Sequence, residues 1–330
     1  MTMMRFGDKK QLLWTGLAIL AALILPLVLS GNFPRHVMTM IVIWIILGQG
    51  WNFIGGYAGQ ISNGHSLFFG LGAYTCALSM QWFQMTPWLS MWLGVLISVT
   101  IAFLIGKPLL RLKDHIFAIA TMAVSECARI IFLNTKLFGG ATGVYFFNQK
   151  LNKYVSMQFK DNLMYYYVYL FFALAVLALV KYLDKSKFCY YLRAIKGNEV
   201  AAQAMGIDTP KYKMLAYMLS AAIVSLGGSL YAQFILYIDP SMLMTLKVSM
   251  MIVLVVVMGG LGTVIGPVVG AIILTVISEY SRAKLGKYGG FDMVLYGILV
   301  IFIVLFLPNG VLSLIKKKSP RAADGTRTAA

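Results

Sequence analysis

Gly55-Gly56-Tyr57-Ala58-Gly59-Gln60-Ile61-Ser62-Asn63-Gly64-His65-Ser66 lies between two apolar runs, residues 38–54 and 67–82. Runs of roughly 18–20 apolar residues cross about 30 Å of hydrocarbon at 1.5 Å per residue. The quoted stretch is therefore a glycine-rich, polar break between membrane segments. Polar groups at bilayer depth are costly unless they pair or line a wet cavity. Broken membrane helices meet that need in transport sites, where they free backbone donors and acceptors for a solute. Gln60, Ser62, Asn63, His65 and Ser66, with Tyr57 and Tyr74 on either side, are thus a candidate solute path. The alternative is a tight helix contact through Gly55-x-x-x-Gly59, or a plain loop. His65 reads as a hydrogen-bonding tether rather than a proton carrier.

The same pattern repeats along the chain. Of its 330 residues, 60% are hydrophobic and 12% charged, and the mean hydropathy is +0.80. Soluble domains are about 45–50% apolar and about 25% charged. Apolar spans also fall at residues 12–29, 88–105, 116–133, 163–180, 214–235, 248–277 and 293–307. Such spans must be helical, since lipid offers backbone groups no partners, and the alternation of a β-barrel is missing. The first span is too long for a signal peptide and no clean cleavage site follows it, so it reads as a retained helix. Residues 248–277 are too long for one span and are broken at Gly259-Gly260-Leu261-Gly262, which predicts a re-entrant hairpin or two short helices. The expected fold is all-α and polytopic, with about 8–10 transmembrane helices including broken or re-entrant segments. Residues 1–11 are then a cytoplasmic tail, 12–315 a single transmembrane domain with a cytoplasmic loop at 181–213, and 316–330 a basic cytoplasmic tail.

The net charge of +17 does not mean nucleic acid, because the basic residues lie between apolar spans. With an inside N-terminus and a returning 248–277 segment, three Lys or Arg in the N-tail, three at 107–113, seven at 181–213 and five in the C-tail lie inside, against nine outside. Both termini are therefore expected in the cytoplasm. Cys76, Cys127 and Cys189 are far apart and read as small apolar fillers, and the histidines do not cluster, so no metal or cofactor is expected. No G-x-x-x-x-G-K-[ST] loop and no catalytic set is present, so the chain reads as a non-enzyme that cannot bind ATP through a P-loop.

Three further features carry candidates. Gly262, Gly266 and Gly270 recur at a spacing of four, which on one helix would form a packing face, with a gate as the alternative. Glu126 and Arg129, at i,i+3 within a span, form an intramembrane pair, either functional or a structural pair facing the bundle. Within the 181–213 loop, Asn198 can cap a short helix, Glu199 suits its first turn, Gly206 can close it, and Thr209-Pro210 opens the next. A short helix here suits docking of a soluble partner; surface decoration or lipid contact is the alternative.

Gly56-Tyr57-Ala58-Gly59-Gln60, Ser62, Gly64-His65 and Phe68-Phe69-Gly70-Leu71-Gly72-Ala73-Tyr74 resemble a stretch typical of branched-chain amino acid ABC permeases, of the M type. Arg193-Ala194-Ile195, Glu199, Ala201-Ala202-Gln203-Ala204-Met205-Gly206-Ile207, Lys213, Gly227-Gly228 and Met258-Gly259-Gly260-Leu261-Gly262-Thr263 with Gly266-Pro267 continue the resemblance, as do Glu126, Arg129 and Gly139-Gly140-x-x-Gly143. It covers about residues 40–310 in order.

The resemblance implies a subunit forming the path for branched-chain or related amino acids across a bacterial inner membrane. Its partners would be a homologous second permease, two cytoplasmic ATPase subunits, a periplasmic or lipid-anchored solute-binding protein, and membrane lipid. Arg193, Glu199, Ala201, Ala202 and Gly206 would couple it to the ATPases. The family's glutamate usually stands directly before the alanines, whereas here Val200 intervenes after Glu199. Asn63 stands where the family often has an apolar residue, which leaves urea or a short-chain amide as an alternative solute. An ion-coupled secondary transporter is the alternative class; it would need acidic residues within spans, and only Glu126 is well placed.

Overall fold

The computed structural model describes residues 16–17, 20–29, 31–112, 114–146, 156–159, 161–285, 297–298, 301 and 310–311. The tails at 1–11 and 316–330 lie outside the described residues. So does most of the last span, in which residues 297, 298 and 301 are helical.

The elements run α1 (residues 20–28), α2 (Asn32–Trp51) with a π-helical end (Asn52–Tyr57), α3 (His65–Phe83), α4 (Pro87–Leu109), α5 (Asp114–Asn134), β1 (Val144–Tyr145) and α6 (Asn162–Asp184). They continue with α7 (Lys187–Gly197), α8 (Glu199–Ala204), α9 (Thr209–Ile235), β2 (Tyr237–Ile238), α10 (Pro240–Leu243), α11 (Leu246–Gly259) and α12 (Gly266–Leu285). Among the described residues, six helices are long and apolar enough to cross a membrane, so the chain is a multi-pass α-helical membrane protein.

Local sequence explains many of the boundaries. Proline opens α4, α9 and α10, where its missing N–H costs nothing. The side chains of Asn198, Asp208 and Asp239 accept the N–H groups of Ala201, Lys211 and Met242 and cap α8, α9 and α10.

Helix α9 is the hub, packed on α2, α3 and α4. Its crossing with α3 is backbone to backbone. A Cβ at Gly228 would lie 2.0 Å from the Phe69 carbonyl oxygen, and one at Gly72 2.0 Å from that of Ser225. Such approach by small residues is how membrane helices associate without a hydrophobic drive between them. The outer side is less covered: 89% of the best apolar window of α2 is buried in the chain, but only 17% of that of α5. Cys76 and Cys189 are buried as expected of fillers, whereas Cys127 is exposed on α5.

The two ends of α9, about 40 Å apart at 1.5 Å per residue, mark opposite faces. At its C-terminal end β2 pairs antiparallel with β1, Val144 opposite Ile238 and Tyr145 opposite Tyr237. At its N-terminal end lie α7 and α8. Helices α11 and α12 form a hairpin, and its turn, residues 260–265, lies on the α7–α8 face: a Cβ at Gly262 would sit 3.9 Å from Lys196 Nζ. The 248–277 segment thus enters and returns, as two helices.

This corrects the reading of Gly262, Gly266 and Gly270 as one helix face. Gly262 is in the turn with φ +71°, Gly266 begins α12, and Gly270 is one turn into it. Close packing survives the correction, since a Cβ at Gly270 would meet the Val255 carbonyl oxygen at 1.8 Å.

Candidate functional site

The break begins earlier than its polarity suggests. Helix α2 passes Trp51 and widens into the π-helical turn Asn52–Tyr57. Glycines make the turn fit: a Cβ at Gly55 would lie 2.0 Å from the Trp51 ring, and one at Gly56 1.8 Å from Asn52 Oδ1. Trp51 Nε1 donates to the Ser62 carbonyl at 2.7 Å, and the Gln60 N–H returns to the Ile54 carbonyl at 2.9 Å.

Residues 58–64 then run without helix between α7 and α5. Gly59 lies against the Lys196 side chain, and the Asn63 N–H donates to Thr121 Oγ1 at 3.1 Å. Where α3 begins, His65 Nε2 and Ser220 Oγ are 2.7 Å apart. The Ser66 N–H and Ser249 Oγ are 2.9 Å apart, as are the two serine hydroxyls, and Ser125 Oγ is 2.7 Å from Ser66 Oγ. Ser125 and Ser220 stand 11 residues from the starts of α5 and α9, about 16 Å along each helix. The N-terminus of α3 therefore lies near mid-depth of the bundle.

Of the seven path candidates, Tyr57, Ser62, His65, Ser66 and Tyr74 are buried in the chain's own core, and Gln60 nearly so. Tyr74 packs its ring on Phe132, centroids 4.9 Å apart, away from the serine cluster. Asn63 is partly exposed, and Ile61, which polarity could not single out, is 50% exposed. The oxygens Gln60 Oε1, Ser62 Oγ and Tyr74 Oη are buried with no hydrogen-bond partner among the described residues.

The face formed by α7 and α8 is wired into this break. Arg193 pairs with Asp184 at the end of α6, and its guanidinium lies 5.3 Å from the Tyr57 ring centroid. Tyr57 Oη donates to Asp184 Oδ1 at 2.9 Å. Lys196 Nζ donates to the Gly56 carbonyl at 2.8 Å. Burial pushes the Lys196 pKa below the usual lysine value, and pushes the Cys189 thiol up to about 11.

The other side of the π-turn holds the α11–α12 hairpin. Asn52 Oδ1 accepts the Gly262 N–H at 2.9 Å, Asn52 Nδ2 donates to the Thr263 carbonyl at 3.0 Å, and Gln49 Nε2 donates to that of Val264 at 2.6 Å. Gln49, Asn52, Asp184 and Lys196 were not among the sequence candidates. Gln49 and Asn52 did carry a signal: two amides at i,i+3 in an apolar run, just before the glycines.

Helix α8 has the predicted ends. Asn198 Oδ1 accepts the Ala201 N–H at 3.0 Å, and Gly206 has φ +83° with open space where a Cβ would go, so backbone conformation alone favours glycine there. Glu199 accepts from Lys213 Nζ at 2.5 Å and Thr209 Oγ1 at 3.2 Å, straddling α8 and α9. Ala202 is only 1% exposed and packs inward, while Val200 at 75% and Met205 at 71% face outward with Ala201 and Ala204.

Glu126 and Arg129 do pair: Arg129 Nε donates to the two carboxylate oxygens at 2.9 and 3.0 Å. Both side chains are partly exposed on α5, so the pair faces away from the chain's own bundle rather than into it. Among the described residues no three His, Cys, Asp or Glu side chains gather as a metal would require.

Residues 34–304 match the family model described as branched-chain amino acid transport system / permease component. The high-affinity branched-chain amino acid transport system permease protein LivM of Salmonella typhimurium is 27% identical, over 95% of this chain and 78% of its own. LivH of the same organism, a permease protein of the same transport system, is 25% identical over 82% of this chain and 91% of its own. The galactose/methyl galactoside import permease protein MglC of Escherichia coli is 32% identical over 41% of each chain. No solved structure matches. The model match spans most of the chain, and the chain belongs to the family of branched-chain amino acid transport system permease components.

Proposed function

We propose that this chain is the M-type permease subunit of an ATP-binding-cassette importer and forms half of the path for branched-chain amino acids across the bacterial inner membrane. It pairs with a homologous second permease. Two cytoplasmic ATPase subunits drive the pair, and a periplasmic or lipid-anchored binding protein delivers the solute. The observation that carries this reading is α8: a short helix fastened to α9 through Glu199 and Lys213, presenting Val200, Ala201, Ala204 and Met205 outward. A small apolar face on a helix tied to α9 suits insertion into a groove of a soluble partner.

The solute path follows the open face of α5 and residues 59–63, closed by the second permease. Lipid covers an ion pair poorly, and the outward Glu126–Arg129 pair on the least buried span fits a protein or water neighbour. Ile61 and Asn63, the most exposed residues of the 61–66 stretch, line that path. A urea or short-chain amide solute is the second reading, favoured by the partly exposed Asn63.

Co-expression with the ATPases, second permease and binding protein of one operon tests the proposal. The purified complex in liposomes is expected to take up leucine, isoleucine or valine with ATP, while this chain alone neither hydrolyses ATP nor moves solute. ATP hydrolysis by the chain alone, free of contaminant, refutes it. Uptake of urea or an amide in place of the amino acids selects the second reading.

A further inference from the structure

The π-turn and α7 compete for one carbonyl. If α2 continued as an α-helix, the Gln60 N–H would bond to the Gly56 oxygen four residues back. Instead Gln60 N–H reaches Ile54 O at 2.9 Å, Ala58 N–H reaches Phe53 O at 3.2 Å, and Gly56 O is held by Lys196 Nζ at 2.8 Å. The Lys196 stem also lies on Gly59, whose φ of +75° turns the chain out of the helix. π-turns in α-helices recur at functional sites.

Lys196 stands on a continuous mechanical path. It belongs to α7, joined to α8 through the single residue Asn198, and α8 is fastened to α9 by Glu199. Arg193, one turn earlier, holds Tyr57 and Asp184. On the far side of the π-turn, Asn52 holds the 260–265 turn through Gly262 and Thr263. Displacing α7 therefore bears on the π-turn, where release of the Gly56 carbonyl would leave it open to the Gln60 N–H; an element with two such arrangements is the physical requirement for transmitting a change between sites.

The geometry points to Lys196 as a latch. While it occupies the Gly56 carbonyl, residues 58–64 stay unwound. When α8 is displaced the carbonyl is released, the Gln60 N–H takes it, and α2 lengthens into the segment that carries Ile61 and Asn63. Lys196 is a positioning residue, acting on the path through the backbone of α2. The inference rests on the importer reading and names the device by which α8 reaches the path.

The test uses the reconstituted complex, with leucine uptake and ATP hydrolysis measured on the same vesicles. Lys196→Met keeps the stem and removes the donor. It is expected to lower solute moved per ATP about tenfold, the scale of one charge-assisted hydrogen bond. Lys196→Arg, which donates to the same carbonyl, should restore most of the ratio. A folding or assembly defect lowers both quantities together and leaves the ratio unchanged, so a second measurement is independent of yield. Ile61→Cys in a Cys127→Ser background is labelled with a maleimide with and without ATP and vanadate. The labelling rate should change with nucleotide when Lys196 is present and not in Lys196→Met. Retained nucleotide dependence in Lys196→Met, or an unchanged ratio in well-assembled complex, overturns the latch alone. Absence of ATP-driven uptake in the unaltered complex overturns the importer reading and the latch with it.

Discussion

Ala201 and Ala202 are neighbours in a six-residue helix, and their burial gives them opposite duties. Ala202 is 1% exposed and Ala201 faces outward. Ala202→Glu forces a carboxylate into the chain's own core, so the expected outcome is poor accumulation in the membrane. Ala201→Glu should leave the amount inserted near normal and weaken co-purification of the ATPases. Membrane level and bound ATPase, quantified on the same preparations, check both. The reverse pattern would place docking elsewhere. Glu199 belongs with Ala202 rather than Ala201. Its partner Lys213 is almost wholly buried, so Glu199→Gln leaves that ammonium without its countercharge. Because Glu199 is itself partly exposed, the expected cost is about 1–3 kcal/mol, read as a lowered Tm in detergent.

The two glycine-dependent elements differ in why they need glycine. Gly206 ends α8 with φ +83° and no neighbour within 4 Å of its missing Cβ. Gly206→Ala should therefore cost about 1–2 kcal/mol, the price of the left-handed conformation alone. In the π-turn a Cβ at Gly56 would press on Asn52 Oδ1 at 1.8 Å and on the Gly262 nitrogen at 2.6 Å. Gly56→Ala must displace Asn52 from the 260–265 turn and break two long-range hydrogen bonds as well as strain the core. It is expected to destabilise more than Gly206→Ala, by about 3 kcal/mol or more. Thermal unfolding of both variants checks the order, and equal losses would mean that the π-turn yields easily.

At the scale of the molecule, the two ends of α9 carry different surfaces. The α7–α8 end also holds the 260–265 turn, and the other end holds the β1–β2 pair. From the positive-inside count we propose that the α7–α8 end is cytoplasmic. A membrane-impermeant thiol reagent should then label Val200→Cys and Leu261→Cys, in a Cys127→Ser background, from the cytoplasmic side alone, and Tyr145→Cys from the opposite side alone. Labelling of Leu261→Cys from the side that reaches Tyr145→Cys would refute the returning hairpin. A fusion of alkaline phosphatase after Lys318 is expected to be inactive, as both termini in the cytoplasm require.

The membrane class, the helical spans among the described residues, the glycine breaks and the ends of α8 were legible in the sequence. Each is written in a short window: a run of apolar residues, a proline at a first turn, Asn198 three residues before the N–H it caps. Which polar groups serve the core and which face a path was not legible. Membrane helices are apolar on both their lipid-facing and core-facing sides, so no amphipathic stripe reveals which way Tyr57, Ser66 or Glu126 points. The hydrogen bonds that organise the break join residues 140 and 210 positions apart, Lys196 to Gly56 and Gly262 to Asn52. Composition and spacing set what each segment can be. Only the packing of α7 and the α11–α12 turn against α2 decided which backbone groups remained free to be held.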